Sequence, residues 1–376
     1  MSLQVLYFAL LIIALLGLLV QFYFIFGPQG AVKRIAPREP EEGVKLPAIS
    51  VIICARNEVS NLKLHLTKIL EQDYPLFEVV VVNDCSTDDS KWVLKDFEER
   101  YPHLKIVHLG ESIKLKHGKK FAVTLGIKAA QYDDLVFTDA DCYPSSNEWL
   151  RYIAASFGTD KEIVLGYSPY VREKGWLNAY IRYETFLTAV NYLGFALRGN
   201  PYMGVGRNLA YKKELFFRNK GFGSHMHVLS GDDDLFVNQN ATAANTAVCL
   251  DEGSFMWSEP KHTLKEYLRQ KKRHFGAGKW YKATDKNMLS VQAGSGFLFY
   301  VFLFLALFVQ WNGWPFVLAL YLIRLLGLYI GYTASMKKLT LGDLLVILPL
   351  LDLQYQLGNP LIAVWTWLGK EQVTWR

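Results

Sequence analysis

Two long stretches without a single charge, one near each end, constrain this chain more than any other feature. Val5 to Phe26 covers 22 residues and Asn287 to Ile323 covers 37, and neither contains Asp, Glu, Lys or Arg. About 20 helical residues cross a hydrocarbon core, so the first stretch predicts one spanning helix. The second is about twice the required length. It contains Gln310-Trp311-Asn312-Gly313-Trp314-Pro315, a turn flanked by interfacial aromatics, and therefore predicts two. The start Met1-Ser2-Leu3-Gln4 lacks basic residues and the exit Phe22-Tyr23-Phe24 is aromatic, which fits a retained anchor better than a cleaved signal. Lys33, Arg34 and Arg38 follow the anchor, and Lys337-Lys338 follow the second apolar stretch. Both clusters predict a cytoplasmic middle. Leu344 to Leu368 carries Asp352 and Asn359-Pro360, and reads as one kinked span or a re-entrant pair. Arg324 and Asp352 stand within apolar sequence, where a charge is expensive. They either line a conduit or pair to fix helix packing.

Composition narrows the class. The chain is 51% hydrophobic and 20% charged, against roughly 25% charged in soluble domains, which excludes disorder and points to a membrane protein with a substantial soluble part. A net charge of +6 without a long Lys/Arg run argues against nucleic acid as a partner. The four cysteines show no CxxC spacing and no neighbouring His cluster, so reduced thiols are expected in place of a zinc site.

From about residue 47 the sequence alternates between two periods. Ile49 to Cys54, Glu78 to Val82, Lys105 to Leu109 and Asp134 to Thr138 are short apolar runs that read as strands. Helical spacing separates them: Leu62, Leu66, Ile69 and Leu70 share a face, Ser86 or Thr87 can cap a helix running to Arg100, and a third helix covers Lys119 to Ala130. Apolar strands joined by helices imply βαβ units and an α/β fold with a mostly parallel sheet. Ligands bind beyond the carboxyl ends of such strands. Arg56-Asn57-Glu58, Asp84 and Asp139-Ala140-Asp141 all fall there.

Asp139 and Asp141 at period two would leave one face of a strand and meet one divalent cation, or a cation and a ribose. The triplet alone is weak, since Asp232-Asp233-Asp234 repeats it. Its position at the end of an apolar strand gives it weight, because paired carboxylates there are poor structure unless something binds. Neither GxGxxG nor GxxxxGK[ST] occurs, so dinucleotide and P-loop chemistry is excluded. A diphosphate would be neutralised by metal with Lys or Arg. Lys114, Lys116, Lys119 and Lys120 otherwise read as a solvated surface run, and His225 and His227 as loop or core histidines. Pro201 to Asn208 is a Gly-rich turn, either near an acceptor or a structural hairpin. Trp176 to Leu197 reads equally as an interfacial helix or a core helix.

The ordered set Ala55-Arg56-Asn57-Glu58, Val82-Asn83-Asp84-Cys85-Ser86-Thr87-Asp88, His117-Gly118-Lys119-Lys120 and Thr138-Asp139-Ala140-Asp141 resembles the family 2 glycosyltransferases of the GT-A fold. Gly231-Asp232-Asp233-Asp234-Leu235-Phe236 resembles that family's acidic motif, and Gln270-Lys271-Lys272-Arg273-His274 the QxxRW element of membrane-bound synthases. The resemblance spans about residues 47 to 280. It implies that Asp84 hydrogen-bonds a nucleobase and that Ala55, Arg56, Asn57 and Glu58 pack on base and ribose. It implies Asp139 on the ribose side and in part on the metal, Asp141 on the metal, Lys119 near the donor, Arg273 on the diphosphate and Gln270 at the acceptor edge. His274 stands where the family has Trp, which weakens an implication of processive synthesis. The general base falls on Asp233 by one gapless comparison and on Asp232 by another, with Asp233 favoured and Asp234 expected to cap the following helix.

The implied organisation is an anchor over residues 1–30, a GT-A domain over 47–285 and a membrane bundle over 287–368, with the catalytic domain cytoplasmic. The implied reaction is inverting transfer of a sugar from a nucleotide-sugar donor to a lipid-linked or glycan acceptor, with Mg²⁺ or Mn²⁺ and an Asp base. Two rivals remain at this level: a sugar-nucleotidyl or phosphoryl transferase, and a non-catalytic membrane scaffold with a nucleotide-binding module.

Overall fold

The computed structural model describes residues 2–36, 46–110, 118–158, 160–228 and 230–368, so Arg38, Lys114, Lys116 and His117 lie outside the described residues. In chain order the elements are α1 (Leu3–Phe26), β1 (Ile49–Ala55), α2 (Val59–Leu70), β2 (Phe77–Asp84), α3 (Ser90–Arg100), β3 (Leu104–Leu109), α4 (Lys119–Ala129) and β4 (Asp134–Asp139). There follow β5 (Cys142–Pro144), α5 (Trp149–Phe157), β6 (Ile163–Leu165), α6 (Trp176–Leu197), β7 (Leu209–Lys212), α7 (Lys213–Arg218), α8 (Asp234–Asn240), β8 (Thr246–Val248) and β9 (Met256–Ser258). The chain closes with α9 (Leu264–Gly278), α10 (Ala283–Val309), α11 (Trp314–Lys338) and α12 (Leu348–Leu368).

The main sheet has the order β3-β2-β1-β4-β7-β6-β8. Its first four strands are parallel, as the apolar runs required, while β7 lies antiparallel between β4 and β6. Every residue of β1 is buried, because helices cover both faces. Val51 and Ile53 pack towards α2 and α3 with Leu62, Leu66 and Leu94, whereas Ile52 and Cys54 join Ala122, Val123 and Ile127 of α4. Each fully buried aliphatic side chain contributes roughly 1.5–3 kcal/mol. At Gly126 an added Cβ would lie 2.7 Å from Ile52 Cγ2, so glycine lets α4 sit close on the sheet. Parallel register places Cys54 opposite both Val82 and Asp139. The carboxyl ends of β1, β2 and β4 therefore open on the same rim.

Among the described residues three helices are long and apolar enough to cross a membrane: Leu3–Arg34, Ala283–Val309 and Trp311–Lys338. The turn over Trp311–Gly313 divides the second apolar stretch into two helices, as its sequence predicts. The last segment forms one helix, α12, with Pro360 inside it. Arg324 and Asp352, expected either to line a conduit or to pair, form a buried ion pair: Nε and Nη2 donate to Oδ2 and Oδ1 at 2.8 and 2.9 Å. The hydroxyl of Tyr300 donates to the same carboxylate at 2.6 Å. Trp176 to Leu197, readable as interfacial or core, is a core helix. Arg182 and Glu184 are buried on it, and Arg182 forks onto Asp343 at 2.8 Å through both Nη atoms.

Candidate active site

The site forms where α4 meets the strand ends. Gly118 precedes α4, and Lys119 is its first residue. Lys119 Nζ lies 2.9 Å from Asp139 Oδ1, at the last position of β4, and 3.1 Å from Asp232 Oδ2. Burial alone would lower the pKa of Lys119, but Asp139 and Asp232 override it and hold the ammonium well above its ordinary range. Burial pushes Asp139 up, and Lys119 more than reverses that, so Asp139 is held ionised below the usual carboxylate range. A cavity of about 20 Å³, enough for about one water, is lined by Lys119, Asp139, Gly206, Asp232, Asp233 and Tyr211.

The three consecutive aspartates have three environments. Asp232 pairs with Lys119. Asp233 is the N-cap of α8: its Oδ1 accepts from Asp234 N–H at 2.8 Å and its Oδ2 from Gly206 N–H at 2.7 Å. The expectation that Asp234 caps the helix is therefore corrected. The cap residue must lie before the first helical residue to reach its free N–H groups, and α8 begins at Asp234 itself. A Cβ at Gly206 would come within 3.1 Å of Asp233 Oδ2, so the Gly-rich turn approaches the acidic motif closely. Asp234 Oδ2 accepts from the Tyr281 hydroxyl at 2.7 Å, next to the start of α10. Burial and then the neighbouring Asp232 raise the pKa of Asp233. Burial and then Asp233 raise Asp234 to about 8.

On the nucleotide side, the loop after β1 is tied to the loop after β2. Asn57, in the left-handed region at φ 57°, donates through its N–H to Ser86 Oγ at 3.0 Å and accepts from Thr87 N–H at 2.8 Å. Asp88 accepts from Val59 and Ser90 N–H groups at 3.2 and 3.0 Å. Ser86 and Thr87 thus brace Asn57 and do not cap α3, whose helix begins later, at Ser90. Asp84 is fully buried at the end of β2. Burial raises the pKa of Glu58, with Asn61 opposing it and Asp141 and Asp139 adding to it. Asp141 lies in the turn between β4 and β5, so the period-two argument for a shared strand face does not apply to it. Cys142 Sγ donates to Asp141 Oδ1 at 3.4 Å.

No cluster of three or more His, Cys, Asp or Glu able to hold a metal ion occurs among the described residues. A cation of the Mg²⁺ type, however, is usually bound by one or two carboxylates plus substrate phosphates and water. Asp139 and Asp141, two hard oxygen donors two residues apart, fit that requirement.

The late element lies on α9, opened by a capping box between Thr263 and Glu266 at 3.2 and 3.3 Å. Gln270 Nε2 donates to the Tyr170 hydroxyl at 3.1 Å. Arg207 stacks on the same Tyr170 ring, with its guanidinium carbon 4.3 Å from the centroid. Arg207 and Arg273 both act electrostatically on Asp139. Arg207 received no role from the sequence; the available signal was a cation within the Gly-rich turn. Lys271, in turn, pairs with Glu184 of α6 at 2.5 Å. His274 is exposed on the same helix. Of the lysine run, the expectation for Lys120 is corrected: it is 3% exposed, not solvated.

Residues 50–219 match the family model described as glycosyl transferase family 2. Glycosyltransferase AglE of Haloferax volcanii is 33% identical over 144 residues, which are 38% of this chain and 45% of that protein. A poly-beta-1,6-N-acetyl-D-glucosamine synthase of Staphylococcus epidermidis is 30% identical over 100 residues, 27% of this chain and 23% of that one. The alignments thus span less than half the length of these relatives. The solved structure of a mannosyltransferase from Pyrobaculum calidifontis, in complex with GDP-Man and Mn²⁺, superposes with a TM-score of 0.58 at 19% identity and covers 95% of this chain and 99% of that one. That likeness concerns the fold, which is GT-A-like with apolar helices at both ends.

Proposed function

We propose, from the match of residues 50–219 to the family 2 glycosyltransferase model, that this chain transfers a sugar from a nucleotide-sugar to a lipid-linked or glycan acceptor at a membrane, by single displacement with inversion. The observation that carries the reading is Lys119, which joins Asp139 at the end of β4 to Asp232 of the acidic motif at 2.9 and 3.1 Å. Donor-side and acceptor-side groups share one ammonium.

In this reading Asp84 and the Ala55–Glu58 loop hold the nucleoside. Asp139 and Asp141 would hold Mg²⁺ or Mn²⁺, which when bound supplies charge neutralisation of the leaving diphosphate. Lys119 and Arg273 face the same phosphates, and Gln270 and His274 stand at the acceptor edge. Asp233 takes the proton from the acceptor hydroxyl. Two features suit it to that role: backbone N–H groups fix its rotamer, and its raised pKa moves its basicity towards neutral pH. The apolar helices anchor the domain and the basic flanks put it on the cytoplasmic side.

The test is incubation of the membrane-embedded chain with a panel of labelled nucleotide-sugars and a membrane extract. Sugar incorporation with release of nucleoside diphosphate is expected. Incorporation of the nucleotide instead would favour a nucleotidyl transferase, and binding without incorporation a scaffold.

A further inference from the structure

A buried lysine outside the roles above draws attention to the second position of α4. Lys120 is 3% exposed, and its Nζ donates to the carbonyls of His225 and Val228 at 2.6 and 3.1 Å. Burying an ammonium costs several kcal/mol unless hydrogen bonds and charges offset it. Here two carbonyls accept from it, and although Asp232, Asp234 and Asp233 of the acidic motif favour its charged form, burial outweighs them and lowers its pKa to about 8. Successive helical residues diverge by about 100°. Lys119 therefore reaches the carboxylates while Lys120 passes beneath the segment 223–228. That segment leads directly into Gly231-Asp232-Asp233. It is packed by Phe222 against Phe236 of α8 and by His225 against Phe222. His225 is itself buried, with Nδ1 2.9 Å from Ser224 Oγ.

We propose that Lys120 is a positioning residue for sugar transfer: by holding the carbonyls of His225 and Val228 it fixes the loop before the acidic motif and so sets the aspartate base against the donor held by Lys119. The inference rests on the glycosyltransferase reading. It differs from a purely structural role in what it predicts for binding. Donor contacts would lie on the strand ends and on Lys119, whereas Lys120 holds the segment that precedes the base.

The experiment compares Lys120→Met and Lys120→Arg in the full-length, membrane-embedded chain. Lys120→Met should lower kcat at least tenfold while donor KM and nucleoside diphosphate affinity change less than twofold. Lys120→Arg, which can still donate to both carbonyls, should recover most of the turnover. Hydrogen exchange over 223–228 should quicken in Lys120→Met and not in Lys120→Arg, a readout that needs no activity. If the wild-type chain transfers no sugar, the glycosyltransferase reading fails, while the exchange comparison still tests the anchoring. Unchanged kcat in Lys120→Met, equal loss in Lys120→Arg, or unchanged exchange would each overturn the proposal. Should Lys120→Met fail to fold, Lys120→Arg decides: loss of turnover in that folded variant with exchange unaltered contradicts it.

Discussion

Two of the sites where the chain buries charge are built on opposite principles. Between the apolar helices one cation meets one anion: Arg324 forks onto Asp352, Tyr300 donates to the same carboxylate, and Gln356 approaches it at 3.4 Å. At the strand ends Lys119 pairs with both Asp139 and Asp232, and Asp233 adjoins them. The first cluster is balanced within itself and locks α11 to α12. The second has more carboxylates than its pairing lysine can neutralise, and burial raises the pKa of Asp233 and Asp234. A fold tolerates such an excess where a cation or a transferred proton completes the arrangement. Balance marks structure, and imbalance marks chemistry.

Breaking the balanced cluster should give the largest loss of stability. Arg324→Ala leaves Asp352 buried without its partner and should cost about 3–5 kcal/mol, read from unfolding in detergent. Replacing both partners together by apolar residues of similar size should be nearly neutral. A severe loss in that double variant would show that the pair does more than lock helices.

The unbalanced cluster should respond in binding. Asp141→Ala should weaken Mn²⁺-dependent nucleotide binding at least tenfold, about 1.4 kcal/mol, and leave unfolding unchanged. Equal affinity with cation or chelator in the parent chain would remove the metal from the account.

A smaller effect concerns pH. A carboxylate base with a raised pKa is protonated as pH falls through that raised value, so activity should decline on the acid side at a pH above that of an ordinary carboxylate. Asp232→Asn removes the neighbouring negative charge that raises Asp233 and should move that limb down by up to about one pH unit, roughly 1.4 kcal/mol. An unmoved limb would mean that Asp233 does not sense the charge of Asp232.

The parts that the sequence made legible are those where local pattern and tertiary role agree. The runs of β1 to β4 are apolar because both sheet faces are covered, and the rim residues Asn57, Asp84, Asp139 and Lys119 stand where strands end or a helix begins. Long-range decisions were hidden. Strands β6 and β8 have three residues each, too few to show a period. Lys120 looks like a surface lysine because the carbonyls that bury it are 105 and 108 positions away. Whether Asp233 or Asp234 caps α8 depends on where the backbone turns, and Asp233 is drawn to Gly206 from 27 positions away. Asp141 misled for a related reason: the strand stops at Asp139, and spacing alone does not mark that stop.

The most direct measurement compares Asp233→Asn with Asp232→Asn for donor binding and for sugar transfer in the same membranes. The account predicts that Asp233→Asn binds nucleotide-sugar near normally while turnover falls by about 10²–10⁴-fold, the usual contribution of a positioned base, and that Asp232→Asn is milder. An inactive Asp232→Asn beside an active Asp233→Asn would move the base one residue back. Full turnover in both variants would contradict the assignment of this site to the reaction.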